Sequence, residues 1–394
     1  MTEKLFLSDS YTNEFNANIV EIIKVKENYG LILDKTYFYP ENGGQPSDLG
    51  TIDSLNLIDV YYYNDKIIHL VSEEIEKKEV ICKLNFKRRF DFMQQHLGQH
   101  ILSRCLEIKH EANTVGFHIG DDYVTIDIDK KLNEFEIDEI EKFSNEMVFK
   151  NLKVNILYPT KEELKELPLR KQPSVNENIR IVEIDKFDYS PCGGTHPKAT
   201  SEVGLIKIKK FKNHKNGLRI EFVCGRWAIN DYRYKNEYIN EISDMFAIKD
   251  VQVKERVMLL NNELIESKKK IDILKNEILE YEMKNIENDF ILKNDIKVIG
   301  KYIDDKSIKE LRAIGNSIIQ KDNYLICLIS NENDKANMVI GKSKKLKVDS
   351  KEIFNKYIAI LNGKGGGSPF LLQGSGDNTK EIENIINDFL EAKF

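Results

Sequence analysis

Phe92-Met93-Gln94-Gln95-His96-Leu97-Gly98-Gln99-His100-Ile101-Leu102-Ser103 is the stretch on which the reading of this chain turns. His96 and His100 stand four apart, so a helix places both on one face, and Leu97, Ile101 and Leu102 give that helix an apolar side. A second stretch lies almost a hundred residues on, Cys192-Gly193-Gly194-Thr195-His196. Its cysteine and histidine are also four apart, in a glycine-containing segment between Pro191 and Pro197 that reads as a loop. Three imidazoles and one thiolate make a donor set suited to tetrahedral zinc, one ion per chain. Neither pair is specific alone, since a histidine pair at i,i+4 is more often a surface coincidence. Three of the seven histidines and one of the five cysteines falling into two ligand-spaced pairs favours the metal.

At 394 residues the chain is too long for one ordinary domain, and two to four are expected. With 41% hydrophobic and 31% charged residues it has ample material for packed cores. No run of 18 apolar residues occurs, and Met1-Thr2-Glu3-Lys4 lacks the basic and apolar regions of a signal peptide, so a cytoplasmic protein without membrane association is expected. Five scattered cysteines do not suggest a disulfide framework. A formal charge of −6 argues against a generally basic nucleic-acid coat but leaves room for local basic faces.

The fold class expected is α+β and multidomain. Residues 1–86 read as short strands (17–26, 30–34, 57–63 and 66–71) forming a small β-barrel, with a turn-rich loop around Gly43-Gly44-Gln45-Pro46. That loop is either a hairpin connection or a place where backbone approaches a ligand closely. Residues 87–232 hold both metal pairs. A basic cluster (Lys83, Lys87, Arg88, Arg89) leads into the histidine helix, roughly 88–107. Strands at 123–128, 154–157, 179–184, 204–211 and 218–224 and helices at 134–150 and 161–166 complete the domain. Lys207, Lys209, Lys210, Lys212, Lys215 and Arg219 form a run without an intervening acid, either a solvated face or a phosphate-contacting one. Across 233–292 the pattern turns helical: Val257, Leu264, Ile271 and Ile278 repeat every seven residues, with Leu260, Ser267, Leu274 and Tyr281 at the other seam position. A coiled coil or helical hairpin is expected, with self-association favoured over packing on its own chain. Residues 293–394 read as α/β, with Gly363-Lys364-Gly365-Gly366-Gly367-Ser368-Pro369 as a loop whose N–H groups and lysine could cradle phosphate.

These residues carry a resemblance. His96-x3-His100, Cys192-Gly-Gly-Thr-His196 and the Gly43-Gly44-Gln45-Pro46 loop resemble the editing domain of alanyl-tRNA synthetase, of the second-additional-domain type shared with threonyl-tRNA synthetase. They resemble more closely its freestanding AlaX relatives. The glycine-rich segment near the C-terminus resembles the DHHA1 domain, and the order of barrel, zinc editing domain, helical linker and DHHA1 domain is similar to the long form of AlaX. Only a few residues precede the barrel, where a complete synthetase would carry its aminoacylation domain, and no Asp-His-His occurs, which disfavours a DHH phosphoesterase. Leu97 and Asn42 depart from the family pattern, which bears on pocket shape.

The resemblance implies hydrolysis of the ester joining serine, or glycine, to tRNA(Ala), with Ala-tRNA(Ala) spared. His96, His100, Cys192 and His196 would hold zinc, which would position the aminoacyl ester. Thr114 and Gln99 would contact the seryl hydroxyl, and Gly43, Gly44, Gln45 and Thr195 would shape the pocket. The basic run and Lys364, Gly365 and Gly366 would contact RNA. A homodimer would form through the helical linker and C-terminal domain. Two alternatives stay open: a non-catalytic RNA-binding protein with a structural zinc, and an editing esterase of altered specificity.

Overall fold

The computed structural model describes residues 2–173 and 179–394. The chain divides into two compact units, residues 1–250 and 251–394. In the first unit, β1 (Glu3–Lys4), β2 (Glu14–Val25), β3 (Asn28–Leu33), β4 (Lys35–Thr36), β5 (Gly50–Ile52), β6 (Leu55–Tyr63), β7 (Lys66–Val71) and β8 (Glu79–Leu84) come first. Six of them hydrogen-bond in a closed ring, in the order β2-β3-β7-β6-β5-β8 and back to β2. Alternation explains the packing: β8 turns Val80, Cys82 and Leu84 inward and Glu79, Ile81 and Lys83 outward. The inward residues join Phe15, Leu31, Leu33, Phe38 and Val60 in one core. β5 and β8 were not expected. The first is three residues long, too short for a periodic signal, whereas β8 carries a readable one.

There follow α1 (Phe86–His110), β9 (Thr114–Ile119), β10 (Val124–Ile128), α2 (Glu134–Phe149), β11 (Val154–Leu157), α3 (Lys161–Glu166), β12 (Ile181–Ile184), β13 (Asp188–Pro191), β14 (Ile206–His214), β15 (Gly217–Cys224) and α4 (Gly225–Phe246). α1 starts where the Asn85 side chain accepts a hydrogen bond from the Arg88 N–H, and ends at Glu111 in the left-handed region. It is buried over most of its length, between the sheet β14-β15-β10-β9 and α2. Gly98 lets it approach β15: a Cβ there would lie 2.2 Å from the Cys224 sulfur. Leu97 belongs to this core, is fully buried and is not among the residues that line the cavity described below. The three-stranded sheet β11-β12-β13 ends at Pro191 and hands the chain to the cysteine loop.

α1 is bolted to the ring by an ion pair. Arg89, expected on a basic surface, is fully buried and binds Asp48 through both Nε and Nη2. The same guanidinium donates to the carbonyls of Ser10 (3.1 Å) and Tyr37 (2.6 Å), and Asp48 accepts from the Tyr39 N–H at 2.6 Å. Every charged atom therefore has a partner.

The second unit contains α5 (Val253–Asn288), β16 (Ile291–Lys293), β17 (Ile296–Tyr302), α6 (Ile308–Ile319), β18 (Tyr324–Glu332), β19 (Lys335–Lys342), α7 (Ser350–Ile360), β20 (Lys364–Ser368), β21 (Leu371–Gly376) and α8 (Ile382–Glu391). Its sheet runs β16-β17-β18-β19-β21-β20, with only β17 and β18 parallel. The helical stretch expected over 233–292 is occupied by α4, which already begins at Gly225, and α5. Along α5, Val257, Leu264, Ile271 and Ile278 are each about half exposed (47, 52, 51 and 55%), whereas Leu279, Met283 and Ile286 nearer its end pack in the core of the second unit. The glycine-rich segment is a correction: it is not a loop but the edge strand β20, paired antiparallel with β21. Glycine is needed there because a Cβ at Gly365 would sit 2.1 Å from the Gln373 carbonyl oxygen.

Removing one partner of a buried pair leaves the other charge uncompensated, at a cost of about 3–5 kcal/mol. Asp48→Ala is expected to lower the stability of the first unit by that amount, read as a shift in its urea unfolding midpoint at unchanged slope.

Candidate metal centre and reaction cavity

α1 turns His96 and His100 towards the loop after β13, where they meet Cys192 and His196. The Cys192 sulfur lies 3.4 Å from His96 Nε2 and 3.3 Å from His196 Nε2, and the four donor atoms all fall within 4.8 Å of one another. Zinc bonds of ~2.3 Å to sulfur and ~2.0 Å to nitrogen give a tetrahedron with sulfur–nitrogen edges of about 3.5 Å. The four side chains therefore fit a tetrahedral metal ion. Gly194 permits this convergence, since a Cβ on it would lie 2.2 Å from His96 Cε1.

Each helix histidine faces its Nε2 inward because its Nδ1 is engaged behind, the usual support for a metal-bound imidazole. His96 Nδ1 pairs with Gln45 Oε1 at 2.8 Å, and His100 Nδ1 with Asp188 Oδ2 at 3.2 Å. Gln45 comes from the turn between β4 and β5, where Gly43 and Gly44 take φ of 56° and 84° and Asn42 and Gln45 exchange backbone hydrogen bonds. Its Oε1 also accepts from the Thr195 N–H (3.2 Å), and its Nε2 donates to Thr195 Oγ1 (2.8 Å). One amide thus ties the ring, α1 and the cysteine loop together. Asp188 also accepts from Arg170 Nε (3.2 Å) and Ser190 Oγ (2.8 Å). Burial alone would push the Asp188 carboxyl up; His100 and Arg170 beside it bring it below its usual value.

The electrostatics suit a cation. Burial would raise the Cys192 thiol, but the imidazoles of His96 and His196 hold it well below its usual range, towards the ligating thiolate. Burial pushes His196 down to about 3, keeping its ring neutral. His196 Nδ1 is buried without a hydrogen-bond partner.

A cavity of about 440 Å³ opens on this cluster. Gln99, Thr114, Phe117 and Arg170 form part of its wall, beside His96, His100 and Cys192. Phe117 stacks on the His96 ring with centroids 5.2 Å apart. Among the described residues no carboxylate lines the cavity. Gln99 Nε2 donates to Ser103 Oγ (2.8 Å), which shares a 2.6 Å hydrogen bond with Thr114 Oγ1, so the two residues expected at the pocket are the ends of one chain. Gly43 lines the cavity, whereas Gly44, Gln45 and Thr195 stand outside its lining, the last two being fully buried behind the donor ring. Asp188, Ser103 and Phe117 were missed. Asp188 lies four positions before Cys192 in an alternating strand, which was the only hint.

The basic run is less basic than its sequence. Lys207 pairs with Glu141 (2.6 Å), Lys209 with Asp231 (2.9 Å), Lys210 with Glu221 (3.1 Å) and Arg219 with Asp127 (2.6 Å). The acids come from α2, α4, β15 and β10, distant in sequence or across the sheet. Lys212 and Lys215 form no such pair among the described residues. Lys364, Gly365 and Gly366 lie together on the exposed strand β20.

Residues 179–221 match the family model of the threonyl and alanyl tRNA synthetase second additional domain, and residues 295–393 match that of the DHHA1 domain. The alanyl-tRNA editing protein AlaX-L of Pyrococcus horikoshii is 34% identical over 393 residues, covering 95% of this chain and 94% of that protein. The chain belongs to the AlaX-L family. The alanine–tRNA ligase of Methanobrevibacter smithii is 30% identical over 419 residues; the match takes 99% of this chain but 46% of the ligase, so the chain spans under half of that enzyme's length. Among solved structures, the C-Ala domain of Aquifex aeolicus alanyl-tRNA synthetase shares 29% identity over 25% of this chain and 94% of its own, with a TM-score of 0.23. Among the described residues no helix is long and apolar enough to cross a membrane.

Loss of an outer hydrogen-bond partner typically costs 10–100-fold in metal affinity. Gln45→Ala keeps all four donors, yet it is expected to weaken zinc retention by that factor in competition with a chromogenic chelator.

Proposed function

We propose that this protein is a freestanding deacylase that hydrolyses the ester joining serine to the 3′-terminal adenosine of tRNA(Ala). Gly-tRNA(Ala) is the second substrate and Ala-tRNA(Ala) is spared. The observation that carries this reading is the cavity itself: three buried histidines and a partly buried cysteine on one side and the Thr114 hydroxyl on another, in a chain that aligns over nearly its whole length with an alanyl-tRNA editing protein.

His96, His100, Cys192 and His196 would hold zinc. When bound, zinc supplies a fixed positive charge against which the ester is placed. The remaining work falls to the chain and its substrate. Water adds to the ester carbonyl carbon, the carbon–oxygen bond to the ribose breaks, and the ribose oxygen takes up a proton. With no carboxylate among the described residues of the cavity wall, the water is assigned to orientation by the substrate's ribose hydroxyls instead of a side-chain base.

Selection against alanine follows from the hydroxyl chain. Gln99 donates to Ser103, and in the arrangement where Ser103 in turn donates to Thr114 the Thr114 proton is left for the cavity. A seryl oxygen accepts that proton. An alanyl methyl leaves it unpaired, and a site built around a polar partner discriminates strongly against its loss.

The second unit would grip tRNA away from the acceptor end, with Lys364 and the bare backbone of Gly365 and Gly366 on an exposed edge. In the first unit Lys212 and Lys215 are the cations of the basic run without an ion pair among the described residues. The half-exposed heptad positions of α5 would pair two chains, as a seven-residue apolar repeat does in a coiled coil.

Purified protein is expected to deacylate Ser-tRNA(Ala) rapidly and Ala-tRNA(Ala) slowly. Cys192→Ala should be inactive, and Thr114→Val should lose about 10–100-fold in kcat/KM on the seryl ester with little change on the alanyl one. No turnover alongside tight tRNA binding would point to a non-catalytic RNA-binding protein with a structural metal. Separately, Leu264→Glu is expected to convert a dimer to a monomer by light scattering; an unchanged mass would remove α5 from the interface.

A further inference from the structure

A second hollow of about 440 Å³ lies on the other side of the cysteine loop. Tyr39, Asn42, Pro191, Cys192 and Gly193 line both hollows, so the two meet along one lip at the metal cluster. The chemistry of the second differs from that of the first. Its wall includes Lys4, Tyr62, Tyr158 and Arg180, and again no carboxylate among the described residues. Tyr62 and Tyr158 are 38% and 57% exposed, large aromatic faces left outside the core. Lys4 Nζ sits 4.9 Å from the centroid of the Tyr62 ring. Arg180 is buried and held by two carbonyls, those of Leu7 (3.1 Å) and Cys192 (2.6 Å). Neither cation pairs with a carboxylate among the described residues.

Exposed aromatic faces beside unneutralised cations are the combination that holds a single-stranded nucleotide, the rings stacking on the base and the cations meeting phosphate. We infer that this hollow is the subsite for the 3′-terminal adenosine of the RNA: the base stacks on Tyr62 and Tyr158, and Lys4 faces the phosphate on its 5′ side. This rests on the deacylase reading for the placement of the ester, and it completes that placement. An aminoacyl ester has two ends joined through a ribose. With the aminoacyl end in the first hollow and the base in the second, the scissile bond falls on the shared lip beside Cys192. Tyr39 is suited to that lip, because its hydroxyl is tied to the Asn42 carbonyl at 2.9 Å and its ring is buried.

The test separates the subsite from the activity. Binding of uncharged tRNA(Ala) is measured for the full-length protein, with and without the terminal adenosine. Removing that nucleotide is expected to weaken wild type about tenfold and Tyr158→Ala or Tyr62→Ala by less than twofold, since the variants have already lost the stacking face. Tyr158→Phe and Tyr62→Phe keep the ring and should behave as wild type. Equal losses in wild type and alanine variants would overturn the assignment. Deacylation of Ser-tRNA(Ala) by wild type is followed in parallel. Absence of turnover would count against the deacylase reading alone, whereas turnover with unchanged KM in both alanine variants would count against the subsite alone.

Discussion

Three imidazoles and a cysteine sulfur are held in this protein with their donor atoms within 4.8 Å of one another. Away from water such a cluster is costly without a cation among its donors, because a buried thiolate needs a countercharge and each ring nitrogen needs a partner. Much of the first unit answers that constraint. α1 must run deep, so position 98 is glycine against Cys224. The cysteine loop must come within contact of His96, so position 194 is glycine. The outer nitrogens of the two helix histidines must be engaged, so one receives a glutamine from the ring and the other an aspartate from β13.

The four donors were legible because each pair is local: i,i+4 on a helix and Cys-x3-His in a loop. The supports behind them were not. Gln45 and Asp188 are 51 and 88 residues from the histidines they hold, too far for any local spacing to pair them. Gln45 was read as part of a pocket loop; its side chain is instead fully buried behind His96. Arg89 shows the same limit from the other side. As one of a cluster of cations it reads as surface, and only the fold brings Asp48 to it. The run from Lys207 to Arg219 contains no acid until the sheet and helices deliver four.

In the second unit, the glycine-rich segment was misread for a physical reason. Consecutive glycines have little strand propensity, yet here Gly365 and Gly367 lie against the Gln373 and Leu371 carbonyls of β21 with no room for a Cβ. The heptad pattern of α5 was legible as a long amphipathic helix, and Val257, Leu264, Ile271 and Ile278 are about half exposed along it. Their periodicity is local; what covers them is not written in it.

The Gln45 side chain carries a consequence for how such proteins change over time. It belongs to the ring, yet it holds a metal-ligand histidine on α1 and the loop that carries the other two donors. Ring and metal domain therefore cannot be inherited, swapped or shuffled as separate modules. A ring exchanged from a distant relative would have to bring both its turn geometry and a residue able to reach His96 and Thr195. The seam at residues 84–86, tidy in secondary structure, is a poor place to cut.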